Sequence, residues 1–288
     1  MSPNSHQKHD LKCGESKLNT AIHFIDVGQG NMVLLKATNG NYYLCDCNVT
    51  NDNEDAVFNY LATEIGWGTS IAAFICTHRD ADHIRGIKKL HENFPIESIW
   101  DSGHPGTTTT STEYREYMEL RRTVGAQEKK RKTYQDLGTT RLRYLSAIDD
   151  RLEKNANAQG LVIKVEHLNC GFCGSSAILT GDCDAETWRY GIMQDYAATE
   201  VNASILMGAH HGAISFFDDP SDTEHYYTDH IHAIKPAMTI ISVGDNQHGH
   251  PDKKAIELYE KYSTGSNKGN KVYTTQSKGT IKLTLKEN

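Results

Sequence analysis

The apolar run IAAFIC at 71–76 leads through Thr77 straight into His78-Arg79-Asp80-Ala81-Asp82-His83. The run is rich in β-branched and aromatic residues and predicts a buried strand. IKKLHENF, which follows, predicts a short helix, so the charged stretch lies on a strand-to-helix exit where side chains can converge. Extended geometry points His78 and Asp80 to one side. The turn into the helix carries Asp82 and His83 to a second position, so one loop can serve two cations. An aspartate before a helix is often only its N-cap, and a lone histidine among the 15 is usually a surface or core residue. Several carboxylates and imidazoles on one short loop are less comfortable, because without a cation they repel or desolvate one another.

Working outward, matching groups stand at the ends of other apolar strands: Asp182 after AILTG, His210-His211 after SILMGA, and His248-Gly249-His250 after TIISVGDNQ. Gly181, Gly212 and Gly249 beside them permit tight turns. Such strand ends point to a scaffold-held site. AIHFIDV, NMVLLKA and NYYLCDC, separated by GQG and TNGN, open a β-meander, and EDAVFNYLATEI at 54–65 has helical spacing. LVIKVEHL, SSAILTGD, ASILMGAHHG and MTIISVG read as further strands, 222–233 and KKAIELYEKY as helices, and NKVYTT with TIKLTL as a closing pair. Two β-rich halves, each with helices, predict an α/β fold of two sheets packed face to face with helices outside. Residues 1–18 are expected to be a flexible tail and 19–288 a single domain, with the polar, basic stretch at about 101–158 as an insertion carrying one or two helices.

With 38% hydrophobic and 23% charged residues over 288 positions, the chain can bury a sizeable core, which excludes collagen, coiled coil and wholesale disorder. The net charge of −7 offers no global positive field for duplex nucleic acid. Any such contact would be local, and Lys129-Lys130-Arg131-Lys132 is the place for it, although a charged run is commonly a solvated face. No apolar stretch approaches the ~18 to 20 residues of a bilayer span and the start has no apolar secretion core, so a cytoplasmic protein without a membrane partner is expected. Seven cysteines, an odd number, favour reduced thiols, and the lone CxxC at Cys170 and Cys173 reads as a hairpin turn with incidental thiols. Gly28-Gln29-Gly30 is not a dinucleotide fingerprint, because Val33 takes the place of the third glycine and NMVLLKA reads as a strand.

Five co-linear motifs resemble the metallo-β-lactamase fold superfamily, and more closely the hydrolase domain of ComEC-type competence proteins. They are Asp26-Val27-Gly28-Gln29-Gly30-Asn31, the 78–83 cluster, Leu179-Thr180-Gly181-Asp182, His210-His211-Gly212-Ala213, and Ile241-Ser242-Val243-Gly244 followed by Gly249-His250-Pro251. The order matches from about 21 to 285. Asp80 stands where the commoner superfamily motif has its second histidine, Asn31 replaces Asp, Ala213 replaces Ser, and 101–158 has no counterpart. The resemblance carries hydrolase chemistry only, since the channel portion of ComEC has no match in the chain.

The resemblance implies a four-layer αββα sandwich. It implies that His78 and Asp80 bind one metal, Asp82 and His83 the second, that Asp182 bridges both and that His210 completes the second site. Asn157 stands where many relatives have a third ligand on the first metal, as a weaker neutral substitute. His211 and His250 would sit at the rim, contacting a phosphate or protonating the leaving group, with Asp46 bracing the loop behind the ligands. The expected cofactors are two divalent ions, zinc or manganese, since Asp80 makes the site richer in oxygen. The expected activity is a phosphodiesterase or nuclease in which Asp82 orients a metal-activated hydroxide, on DNA, RNA or a nucleotide. Lactone, thioester or β-lactam hydrolysis on the same scaffold is the alternative, and a non-catalytic metal-binding sensor module is the third reading.

Overall fold

The computed structural model describes residues 18–169, 172–219, 221–264 and 271–286. Its strands are β1 (Thr20–Phe24), β2 (Val33–Lys36), β3 (Tyr42–Cys45), β4 (Cys47–Asn48), β5 (Ala73–Ile75), β6 (Ile99–Asp101), β7 (Ala126–Glu128), β8 (Thr133–Leu137), β9 (Thr140–Ser146), β10 (Val162–Asn169), β11 (Phe172–Leu179), β12 (Ile205–Met207), β13 (Asp218–Asp219), β14 (Asp222–Tyr226), β15 (Met238–Ile241), β16 (Val272–Thr274) and β17 (Ile281–Leu285). They build two seven-stranded sheets, in the orders β17-β1-β2-β3-β5-β6-β7 and β16-β15-β12-β11-β10-β9-β8.

Three buried clusters reveal the layering. Ile22, Phe24, Val33 and Leu35 of the first sheet meet Leu142, Ile163, Val165 and Met207 of the second in a central core. The other face of the first sheet buries Leu34, Leu44 and Phe74 against Val57, Phe58 and Leu61 of the helix Glu54–Ile65, and against Tyr117 and Leu120 of the helix Thr112–Val124. The other face of the second sheet buries Ile178 and Leu206 against Trp188 and against Leu258 of the helix Lys253–Tyr262. The chain is therefore a four-layer αββα sandwich, because each sheet is apolar on both faces and needs a partner on each. Truncating a fully buried central residue such as Ile163 would cost about 2–5 kcal/mol.

Parallel pairing gathers the functional loops. β3, β5 and β6 run parallel, with Cys45 opposite Ile75 and Ile75 opposite Trp100, so Asp46, Thr77 and Asp101 leave the first sheet at one edge. β11, β12 and β15 run parallel too, with Ile178 opposite Leu206 and Met207 opposite Ile240. Their carboxyl ends deliver Asp182, His210-His211 and Ser242 to one edge of the second sheet, the usual location of sites in such sheets.

Several elements differ from the sequence reading. Within 101–158, the loop and helix up to Val124 and the turns at 147–158 lie outside the sheets, whereas β7 extends the first sheet and β8 and β9 end the second. These strands are half exposed, so charged residues alternate through them and mask their pattern. Residues 222–226 are the strand β14, not the start of a helix, and the helix is confined to Asp229–Ile234. The closing strands do not pair with each other: β16 joins β15, whereas β17 crosses to β1. Residues 1–17 of the expected tail, Cys170, and the side chain of Cys173 lie outside the described residues.

Candidate metal centre

Asp46 organises the base of the site. It sits just past β3 in a left-handed backbone conformation, φ 57°, and is almost fully buried. Its carboxylate accepts the Thr77 backbone N–H at 2.7 Å, the Thr77 hydroxyl at 2.7 Å and His83 Nδ1–H at 2.8 Å. Thr77 Oγ1 lies 3.1 Å from His78 Nδ1, so the same anchor reaches both imidazoles. With each Nδ1 engaged, each Nε2 is turned into the cleft. Two glycines let the backbones close in. A Cβ on Gly30 would lie 2.7 Å from the Asp82 carbonyl oxygen, and one on Gly181 would lie 2.8 Å from the Thr77 Cβ.

Asp182 enters from the second sheet with its carboxylate between four imidazoles. Oδ1 lies 3.2 Å from His83 Nε2 and 3.8 Å from His211 Nε2, while Oδ2 lies 3.7 Å from His78 Nε2 and 3.6 Å from His210 Nε2. Asp80 Oδ2 is 3.8 Å from His78 Nε2. Asp82 is shared, with Oδ1 3.9 Å from His83 Nε2 and Oδ2 3.1 Å from His211 Nε2. Two triads, His78/His83/Asp182 and Asp82/His83/His211, each converge to within 4.8 Å.

The donor set fits divalent ions. His78 Nε2, His83 Nε2, Asp80 Oδ1 and Asp182 Oδ1 are buried without a hydrogen-bond partner. Native proteins rarely leave such groups unsatisfied. An ion with bonds of about 2.1 Å in a tetrahedral shell would space its donors about 3.4 Å apart. The observed separations of 3.2 to 3.9 Å bracket that spacing.

The electrostatics agree. Burial, reinforced by His83, lowers His78 to about 4, so its ring is neutral and its lone pair available near neutral pH. Burial alone would raise Asp182, but His83, His211 and His78 outweigh it and hold the carboxyl well below its usual range. His83 shows the converse: burial would lower it, yet Asp182, Asp46 and Asp82 push it well up. Asp80 is raised by burial and by Asp182 and Asp82, against the pull of His83. Three carboxylates and three imidazoles this close together are a charge problem that a cation resolves.

The two neighbouring histidines are placed differently from their expected roles. His211 is buried, and its Nδ1–H donates to the Ser242 carbonyl at 2.8 Å, which turns Nε2 towards Asp82 and Asp182. His210 belongs to neither triad; it is about one-third exposed, and its ring centroid lies 5.5 Å from that of His250. Both residues have left-handed backbones, φ 49° and 53°, and this sends adjacent side chains to the two oxygens of one carboxylate. That conformation costs an L-residue roughly 1–2 kcal/mol. His250 sits at the outer rim with His248. Asn157 belongs to the turn whose carbonyl accepts Gly160 N–H at 3.4 Å, leading to Leu161 N–H on the Thr77 carbonyl at 2.8 Å.

Three contributors were not singled out from sequence. Thr77 lay inside the quoted stretch, and Asp101 is a carboxylate at the end of an apolar strand, the signal that identified Asp182. Asp101 accepts Arg79 Nη2 at 2.9 Å, directly within the metal loop. No sequence pattern announces that pairing.

No protein-family profile matches the chain, and no curated protein matches it by sequence. Solved structures do. CmlA, a diiron β-hydroxylase from Streptomyces venezuelae, aligns with TM-score 0.55 at 12% identity over 93% of this chain, which spans about half (54%) of CmlA. The metallo-β-lactamase fold protein YhfI from Bacillus subtilis aligns with TM-score 0.52 at 12% identity, over 91% of this chain and 99% of its own. A diphosphatase from the PhnP family aligns with TM-score 0.50 at 13% identity, over 93% and 98%. At these identities the likeness is one of architecture: the chain has the metallo-β-lactamase fold.

Proposed function

We propose that this protein is a metal-dependent hydrolase acting on a phosphodiester. The observation that carries the reading is the buried Asp182 carboxylate, whose two oxygens are divided between His83 and His211 on one side and His78 and His210 on the other. That is the disposition of a bridging ligand between two cation positions. The first would be held by His78, Asp80 and Asp182. The second would be held by Asp82, His83 and His211, with His211 taking the part that sequence reading gave to His210. Three imidazoles and three carboxylates suit zinc or manganese.

When bound, two such ions polarise a phosphoryl oxygen and lower the pKa of water towards ~7. The chain supplies the rest. Asp46 holds His83 and, through Thr77, His78, so that their Nε2 atoms stay directed inward. Asp82, whose Oδ2 lies 3.1 Å from His211 Nε2, would help to hold the second ion and would accept a hydrogen bond from the water that the ions activate. His210 and His250, paired at the open rim, contact the phosphate and deliver a proton to the leaving oxygen.

The basic run argues for a small phosphodiester over a polymer. Arg131 and Lys132 are paired with Asp195, and Arg131 also with Asp149, so they are not free to track a phosphate backbone. The diphosphatase among the fold neighbours is consistent with phosphate chemistry on this architecture. Among the described residues no helix is long and apolar enough to cross a membrane, and Cys45, Cys47, Cys76 and Cys183 are free thiols, which fits a cytoplasmic protein.

The test is a screen with manganese and with zinc against bis-p-nitrophenyl phosphate, cyclic dinucleotides, RNA and single- and double-stranded DNA, with a lactone, a thioester and a β-lactam alongside. Turnover of the phosphodiesters alone supports the reading. Turnover only of the carbon esters or lactam would overturn it, and fewer than about one metal equivalent per chain would favour a sensor module.

A further inference from the structure

The helix Thr112–Val124 and the loop before it lie outside both sheets, yet they are tied to the metal loop through one buried carboxylate. Asp101 Oδ2 accepts Arg79 Nη2 at 2.9 Å, the Tyr117 hydroxyl at 2.7 Å and Arg121 Nε at 2.8 Å. Asp101 Oδ1 accepts the Gly103 N–H at 3.0 Å and Arg121 Nη2 at 3.3 Å. Arg79 and Asp101 are both almost fully buried. Arg79 is also the residue between His78 and Asp80, and its guanidinium lies 5.5 Å from the Tyr117 ring centroid.

The loop that Asp101 starts wraps around this arginine. His104 N–H donates to Ser102 Oγ at 3.3 Å and Gly106 N–H to His104 Nδ1 at 3.2 Å. A Cβ on Gly106 would come within 3.0 Å of the Arg79 Cβ, so the loop is seated against the metal loop with no space between. The segment between His78 and Asp80 is thus held through Arg79, at its guanidinium by Asp101 and at its Cβ by the loop that Asp101 starts. His83 and His211 are oriented from elsewhere, by Asp46 and by the Ser242 carbonyl.

We infer that Asp101 is a positioning residue for the first cation position, setting the segment of His78 and Asp80 through Arg79 and the 102–106 loop, with Tyr117 and Arg121 of the helix Thr112–Val124 holding Asp101 in turn. The inference rests on the reading that Asp80 ligates a metal. It makes the two positions unequal, because Arg79, the residue that Asp101 holds, stands between His78 and Asp80 of the first position.

The full chain, stripped and reconstituted with manganese, is compared with Asp101→Asn, Asp101→Glu and Tyr117→Phe by titration calorimetry, bound-metal analysis and electron paramagnetic resonance, with melting curves confirming the fold. Asp101→Asn is expected to weaken one of two manganese sites by about 10- to 100-fold, as outer ligands of metal sites do, and to replace a spin-coupled pair signal by that of an isolated ion. Asp101→Glu restores part of the affinity. Tyr117→Phe keeps the ring and removes one donor, so it weakens the same site several-fold and serves if Asp101→Asn does not fold. Two sites of unaltered affinity in the folded variants, or equal weakening of both, would overturn the inference alone. Fewer than two sites in the unaltered chain would overturn the dinuclear reading and the inference with it.

Discussion

The loop at 78–83 and the basic run at 129–132 are both dense in charge, and they fold to opposite ends. In the run, Arg131 and Lys132 meet Asp195, Arg151 joins them through Asp149 and Asp195, and the Lys129 ammonium lies 3.8 Å over the Trp100 ring while donating to Gln127. Around the loop, imidazole nitrogens and carboxylate oxygens of His78, Asp80, Asp82, His83, Asp182 and His211 face one another at 3.1 to 3.9 Å, and His78 Nε2, His83 Nε2, Asp80 Oδ1 and Asp182 Oδ1 have no hydrogen-bond partner. The difference teaches that charge density does not mark a site. Unsatisfied charge under cover does, because its desolvation is uncompensated until a ligand arrives.

The comparison can be broken most directly at Asp182. Asp182→Ala should abolish stoichiometric metal binding and lower turnover by at least about 10³-fold, since both positions lose their shared carboxylate. Metal analysis and steady-state kinetics check this, and retention of two ions would end the argument from unsatisfied charge. Next come the neighbouring histidines. His211→Ala should remove one ion, whereas His210→Ala should retain both and lower turnover by about 10²-fold, as expected for loss of a proton donor. Equal metal loss in the two variants would erase the distinction drawn between them.

A third prediction applies the same rule to a buried imidazole with no carboxylate beside it. His230 donates Nε2–H to the Phe216 carbonyl at 2.9 Å, stacks on Tyr227, packs at a tilt against the Phe216 ring, and leaves Nδ1 unpartnered. Burial lowers it to about 3 from the model-compound value of 6.5. The unfolded chain then binds the extra proton and the folded one does not, so stability is complete above about pH 6.5 and falls as the pH drops from there towards 3. The loss between pH 7 and pH 5 is about 2 kcal/mol. Denaturation of the native chain and of His230→Gln at both pH values measures it: the variant should be less stable at pH 7 and less sensitive to acid. The smallest effect belongs to the basic run. Arg131→Ala or Lys132→Ala should cost about 1 kcal/mol or less and leave metal content and small-substrate turnover within about twofold.

The cluster at 78–83, Asp182 and the alternation of strands and helices were all legible, because strand ends with polar ligands contrast sharply with the apolar runs before them. The sandwich with outer helices was legible for the same reason. Three features were not. β8 and β9 were hidden because β8 is an exposed edge strand of mostly polar residues and β9 alternates Arg141 and Arg143 with its buried positions, so TYQDL and RLRYLS resemble a solvated insertion. The division of labour between His210 and His211 turns on two consecutive left-handed residues, which no propensity predicts for histidine. Arg79 and Asp101 pair across 22 positions, and only the parallel register of β5 and β6 brings them together.

The crossing of β17 back to β1 has a mechanical meaning. The last strand returns to the first sheet, while Asp182, His210 and His211 come from the second. The cleft therefore lies on the seam of the sandwich, and a cation held there would act as a further rivet between two slabs also joined by apolar contact, by hydrogen bonds such as Thr20 to Thr140 and Leu161 N–H to the Thr77 carbonyl, and by the connecting chain. Each half alone would be chemically mute. Heat resistance should climb with the logarithm of free metal, in the way any ligand confined to the native form tightens it.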